Sequence, residues 1–419
     1  MIKQKKRMKK RKFPKSLKLA TVVLVATFAV ICYFEPNFPI DFKNALSSVF
    51  FTESTSTEYL KGLYNSSNKK IRILVVPGHD SKIEGATFKG IRESEMDALI
   101  GEQLTRFLRD NQKYEVIMTR NSEVYNETIT NFISANKPRI KDFINSKKKL
   151  MDSFVGVGAV NTVSGVYHNA VSNDRLYQLY GFNLWANDNK IDLVVNVHLN
   201  DYPRKSTRYP GEYDGLSVYV PEKQFSNAKA SRAIAQDILD KLTRFYPKSN
   251  MPKEKAGVVE DQTLISLGAF NTLNGAAVLV EYGYIYEPQF TNAETRAGVI
   301  KDLAYQTYLG ITNFFDPQKA LAVEKTNGKS ALLPYSWNKS LTFGMDGLDI
   351  FSLQAALVIE GFYPPSSLTQ NDCPMTGKFK DCTSLAIKSF QQKYGISQTG
   401  SVGPQTLLKI NELYSVSAK

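Results

Sequence analysis

Ile71-Arg72-Ile73-Leu74-Val75-Val76-Pro77-Gly78-His79 is the stretch that decides the fold class of this chain. A short apolar run, rich in β-branched residues and stopped by Pro-Gly, reads as a strand buried in a sheet. Working outward, a loop runs to Arg92 and a helix follows. Ser94 and Asp97 suit a capping pair there, and Met96, Ile100, Leu104, Phe107 and Leu108 recur at helical spacing. Tyr114 to Thr119 reads as a second strand, and strand, helix, strand is the start of an α/β sheet. Further strands are expected at Ile191 to Val197, Leu216 to Val220 and Ala276 to Val280, with helices at Asn227 to Phe245 and Ala293 to Phe315. The fold class expected for residues 71–315 is therefore α/β, a twisted and mostly parallel sheet flanked by helices. Residues 121–185 form a long insertion, mostly helical, broken at Gly156-Val157-Gly158.

On the amino-terminal side, residues 35–70 are rich in Ser, Thr, Asn and Tyr without a sustained apolar period, which suits a linker. Before them lies an apolar run over residues 17–34, preceded by a basic segment, residues 1–16. Residues 1–18 hold ten of the 53 Lys and Arg and no acid. The remainder carries 43 bases against 40 acids, so the net charge of +13 is local and no nucleic-acid partner is expected. Basic residues followed at once by a predominantly apolar run of 18 residues, Leu17 to Phe34, about 27 Å as a helix, predict one transmembrane helix. The exit Val30-Ile31-Cys32-Tyr33-Phe34 is too bulky for a cleavage site, which favours a retained anchor. The positive-inside rule then leaves residues 1–16 in the cytoplasm and the body outside, on a single-pass cell-membrane protein.

The 419 residues carry 42% apolar and 22% charged side chains, ordinary globular usage that excludes general disorder and a polytopic membrane protein. Residues 316–341 mix Lys, Asn, Ser and Pro without period and read as a second linker. Residues 342–414 show helical patterns at Ile350, Leu353 and Leu357, at Leu385, Ala386, Phe390 and Tyr394, and around Thr406 to Leu413, predicting a small three-helix module.

Histidine is scarce, with only His79, His168 and His198. His79 and His198 each follow an apolar strand, and Glu281 ends Val278-Leu279-Val280. In an open α/β sheet, ligands bind beyond the carboxyl ends of the strands, so these side chains converge on one rim, with Glu93 at the start of the first helix facing it. Two imidazoles and a carboxylate suffice for catalytic Zn²⁺, leaving a spare carboxylate as base: a set suited to amide hydrolysis. Taken singly, a strand-end histidine is more often a hydrogen-bonded structural residue. The conjunction with two glutamates is what points to metal. His168, in a polar stretch of the insertion, reads as a surface residue. Asp80, Glu95 and Asp97 are rival ligands, although Glu95 and Asp97 also suit a helix first turn.

These residues resemble a known family. Pro77-Gly78-His79, Gly90-Ile91-Arg92-Glu93, Asn196-Val197-His198-Leu199-Asn200 and Val280-Glu281-Tyr282-Gly283-Tyr284 are similar to the four signatures of the zinc-dependent N-acetylmuramoyl-L-alanine amidases, the type 3 amidase family. The resemblance implies that His79, Glu93 and His198 hold zinc, that Glu281 is the catalytic glutamate, and that the substrate is peptidoglycan. Asp80 replaces the usual Gly, Leu199 an Ala, and the 121–185 insertion is longer than usual. Its length raises the expectation that it partly covers the site until an activator, unnamed by the sequence, moves it.

The carboxyl-terminal module resembles the small peptidoglycan-binding domain often fused to wall hydrolases, through Asp349-Ile350, Leu353-Gln354, Gly361-Phe362-Tyr363-Pro364, Phe390-Gln391, Gly395-Ile396 and Val402-Gly403-Pro404. Cys373 and Cys382 both fall in it, and outside the cell they are expected to form a disulfide. Two other readings remain at this stage: a zinc peptidase acting on stem peptides, and a wall-binding scaffold without catalysis.

Overall fold

The computed structural model describes residues 55–162, 172–202, 204 and 206–415. The expected transmembrane segment at 17–34, its basic flank and His168 lie outside the described residues. Among the described residues no helix is long and apolar enough to cross a membrane.

In chain order the elements are α1 (Thr57–Asn65), β1 (Ile71–Pro77), β2 (Thr87–Phe88), β3 (Ile91–Arg92), α2 (Glu93–Arg109), β4 (Tyr114–Met118), α3 (Glu127–Ala135), α4 (Lys137–Gly156), α5 (Asn173–Asp188), β5 (Leu193–Asn200), β6 (Ser217–Pro221), α6 (Ala228–Leu242), β7 (Val258–Asp261), β8 (Ala276–Tyr284), α7 (Ala293–Phe315), α8 (Pro317–Asn327), α9 (Leu348–Ile359), α10 (Asp381–Lys393) and α11 (Pro404–Tyr414). The main sheet runs β4-β1-β5-β8-β6-β7. It is mixed: β6 lies antiparallel to β8, while the other pairings are parallel.

Because side chains alternate across a strand, β1 feeds two cores. Ile71, Ile73 and Val75 pack in the layer that holds Ile100 of α2, Ile234 of α6 and Leu303 of α7. Leu74 and Val76 point the other way, into a second cluster with Phe182 and Trp185 of α5. Burial on both faces is the reason these strands read as apolar runs. His198 and Glu281 share the parity of Val194 and Leu279, which face the α5 side.

Both segments expected to be linkers need correction. Residues 57–65 form a helix capped by Ser56, with Leu60, Leu63 and Tyr64 buried and the Tyr64 ring 5.3 Å from Phe315 at the end of α7. Residues 316–341 begin with α8, capped by Asp316 with Pro317 in its first turn, and continue through buried Leu332, Leu333, Trp337 and Leu341. Those four belong to one apolar core that continues into the module through Ile350 and Phe351. The capping pair at Ser94 and Asp97 is also not formed: α2 starts at Glu93, so both residues lie inside the helix. The module has its three helices, α9, α10 and α11, and the Cys373–Cys382 disulfide is present, with Cα atoms 5.9 Å apart.

Candidate metal centre

The strand ends bring His79 and His198 to one rim. β1 stops at Pro77, and His79 follows with φ of 53°, a left-handed conformation disfavoured for a residue with a side chain. Gly78 fixes this turn, its N–H donating to the Val197 carbonyl at 2.9 Å. His198 lies in β5 opposite Glu281 in β8. Glu93 opens α2 and turns one carboxylate oxygen to both rings: Oε1 is 3.2 Å from His79 Nε2 and 3.1 Å from His198 Nδ1. Its other oxygen accepts from the Ala86 N–H at 2.7 Å.

Ligand atoms of His79, Glu93 and His198 all lie within 4.8 Å of one another. A tetrahedral ion with bonds near 2.0–2.1 Å holds its ligand atoms about 3.4 Å apart, so the donor set fits zinc in type and spacing. Asp80, Glu95 and Asp97, the rival ligands, are not in this group. Burial lowers the pKa of His198, favouring the neutral imidazole that a metal ligand must be. Burial works against the Glu93 carboxylate, but hydrogen bonds from His198 and His79 prevail and hold it at about 2. Glu281 is pushed well above the usual carboxylate range by burial, and then by the charges of Glu93 and Glu254; its Oε2 has no hydrogen-bond partner among the described residues.

Space around the centre is tight. A Cβ on Gly78 would stand 2.2 Å from the His198 ring, and one on Gly85 2.4 Å from Glu93 Oε2. Beyond these lies a cleft of about 1100 Å³, lined by His79, Glu93, His198, Glu281, and Ser172, Arg175 and Leu179 of the α5 segment. The described part of the insertion therefore builds one wall of the cleft. Asp80 does not line the cleft: its carboxylate accepts from the Lys82 and Ile83 N–H groups at 2.9 Å and from the Tyr125 hydroxyl at 2.8 Å.

Three residues escaped the sequence reading. Arg120, buried just past β4, donates through Nη2 to the Gly78 carbonyl and to the Ser94 carbonyl at 2.8 Å, bracing the backbone beside His79 and Glu93 at once. Glu254, fully buried, accepts from Asn200 Nδ2 at 3.0 Å and from the Tyr219 and Tyr284 hydroxyls at 2.5 and 3.3 Å. Asn200 and Tyr284 were legible as motif residues; Glu254 sits in a polar loop with no local signal. Arg175 is the third.

A family model described as N-acetylmuramoyl-L-alanine amidase matches residues 162–313, and one for a peptidoglycan binding domain matches residues 346–410. The first includes His198 and Glu281; His79 and Glu93 lie upstream of it. No curated protein matches. Solved structures with similarity include N-acetylmuramoyl-L-alanine amidase from Clostridium difficile 630, at 17% identity over 62% of this chain and 100% of that one, with a TM-score of 0.35. The amidase Ami1 from Mycobacterium smegmatis is 15% identical over 60% and 100%, with a TM-score of 0.39. AmiC2 of Nostoc punctiforme is 15% identical over 58% and 96%, at 0.35. The family matches, not these distant likenesses, place the chain: it carries an N-acetylmuramoyl-L-alanine amidase domain of the type 3 family, joined to a peptidoglycan-binding domain.

Proposed function

We propose that this peptidoglycan amidase works with Zn²⁺ held by His79, Glu93 and His198 and with Glu281 as its acid–base group. The observation that carries the reading is the convergence of the three ligand atoms beside Glu281 on one rim of the sheet. Zinc supplies Lewis acidity to the scissile carbonyl and makes water a better nucleophile near neutral pH. The chain does the rest. Glu281, opposite His198 in the sheet and with no hydrogen-bond partner for its Oε2 among the described residues, takes the proton of the attacking water as a carboxylate and gives it to the departing L-alanine amine. Arg120 keeps the Gly78–His79 turn and the start of α2 in register, so that the ligands need little rearrangement on binding metal.

The module of α9 to α11 would hold the enzyme on the wall. The anchor at residues 17–34, placing the body outside the cell, is supported by the order of basic and apolar runs. Glu281→Gln tests the central role: it should keep stoichiometric zinc and release no new alanine amino termini from purified wall. Near-normal release would remove Glu281 from the chemistry.

A further inference from the structure

Arg175 has no part in the amide chemistry above, yet it is the only Lys or Arg among the described residues lining the catalytic cleft. It is 9% exposed, a placement that is costly for a guanidinium unless something compensates. Its structural partners are few. Nη1 donates to Gln178 Oε1 at 2.6 Å and forms an ion pair with Asp80 Oδ2 at 3.8 Å, too long for a hydrogen bond, so Asp80 offsets part of the charge but takes none of the other donors. Nε and Nη2 make no hydrogen bond among the described residues. Nor does the helix gain from it: Arg175 stands in the first turn of α5, after the Ser172 cap, where the helix dipole disfavours a cation. The remaining donors of a buried fork, in a cleft otherwise lined by acids and neutral groups, are what a carboxylate ligand needs.

The substrate narrows the choice. The one carboxyl of the muramic acid unit is consumed in the scissile amide, so the negative charge lies on the stem peptide. The first free carboxylate there is the α-carboxylate of the second residue when that residue is a γ-linked glutamate. Two residues span about 7 Å, within reach across a cleft of this size. Resting on the amidase reading, we propose that Arg175 binds this carboxylate and sets the stem-peptide preference of the enzyme.

The test uses the full zinc-loaded chain and two muropeptides that differ only in this group, free carboxylate in one and carboxamide in the other. Wild type should favour the free acid about tenfold or more in kcat/KM, chiefly through KM, as one charge-assisted hydrogen bond allows. Arg175→Gln should bring the ratio near one, and Arg175→Lys should keep part of it. Equal rates on both substrates by wild type, or a loss in Arg175→Gln that leaves the ratio unchanged, overturns the proposal. Release of no amine from either substrate by wild type is a different result: it brings down the amidase reading, and this inference with it.

Discussion

Replacing Gly78 by Ala adds one carbon atom at the most crowded point of the centre. The new Cβ would lie 2.2 Å from His198 Cε1 and 2.5 Å from both ring nitrogens. Ordinary contact begins near 3.4 Å, so the ring must retreat by more than 1 Å. Metal–ligand bonds tolerate about 0.2 Å, and such a retreat takes His198 out of the ligand set. Relief from the turn side is blocked, because the Gly78 N–H and carbonyl are tied to Val197 and Arg120. We expect Gly78→Ala to bind less than a tenth of the zinc held by wild type at equal free metal, and amine release to fall at least 100-fold. The chain should still fold, since the clash falls on a ring at the rim and not on the core. Gly62→Ala, in α1 with nothing within 4 Å of the added carbon, is the matched control and should be neutral or slightly stabilising. Metal content by mass spectrometry and amine release from wall read both. Full zinc and activity within threefold of wild type in Gly78→Ala would refute the crowding argument.

Arg120→Met should weaken zinc binding about 10- to 100-fold and cost about 2–3 kcal/mol in urea unfolding, because the Gly78 and Ser94 carbonyls lose their shared donor. A shift below 0.5 kcal/mol with unchanged metal affinity contradicts that bracing role. Glu287, buried, has its pKa pushed up to about 7 by burial against the N–H groups of Tyr284 and Gly215 and the Gln289 amide. Its folded-state value exceeds the unfolded one, so between roughly pH 4.5 and 7 the unfolded chain binds fewer protons and stability falls as pH rises, by on the order of 3 kcal/mol. Glu287→Gln should flatten that slope in melting curves from pH 5 to 8; a slope equal to that of wild type counts against it. Removing the Cys373–Cys382 bridge with a double Ala variant should destabilise the module by about 2.5–3 kcal/mol, as expected for a loop of about ten residues, and an unchanged unfolding midpoint argues otherwise.

The elements that carry the chemistry were legible because the sheet buries their strands on both faces. Ile71 to Val76, Leu193 to Val197 and Ala276 to Val280 stand out as apolar runs, and His79, His198 and Glu281 stand out by following them. Direction was not legible: the apolar pattern of β6 is the same whether it runs parallel or antiparallel to β8. β7 was missed because it is an edge strand, Val258-Val259-Glu260-Asp261, with half its residues acidic. α8 buries little beyond Ala320 and Glu324, so no period marks it, although Asp316-Pro317 was a usable start signal. Arg120, Glu254 and Arg175 are single polar residues in polar surroundings, and their importance comes only from what the fold sets beside them.

The most direct test of the zinc-amidase account is mass spectrometry of the products from one defined muropeptide, digested by the zinc-loaded chain with and without chelator. A zinc amidase should release an intact stem peptide with a free L-alanine amino terminus and an intact disaccharide, both lost on chelation. Fragments cut within the stem peptide, or the same products at the same rate after the metal is stripped, would contradict it.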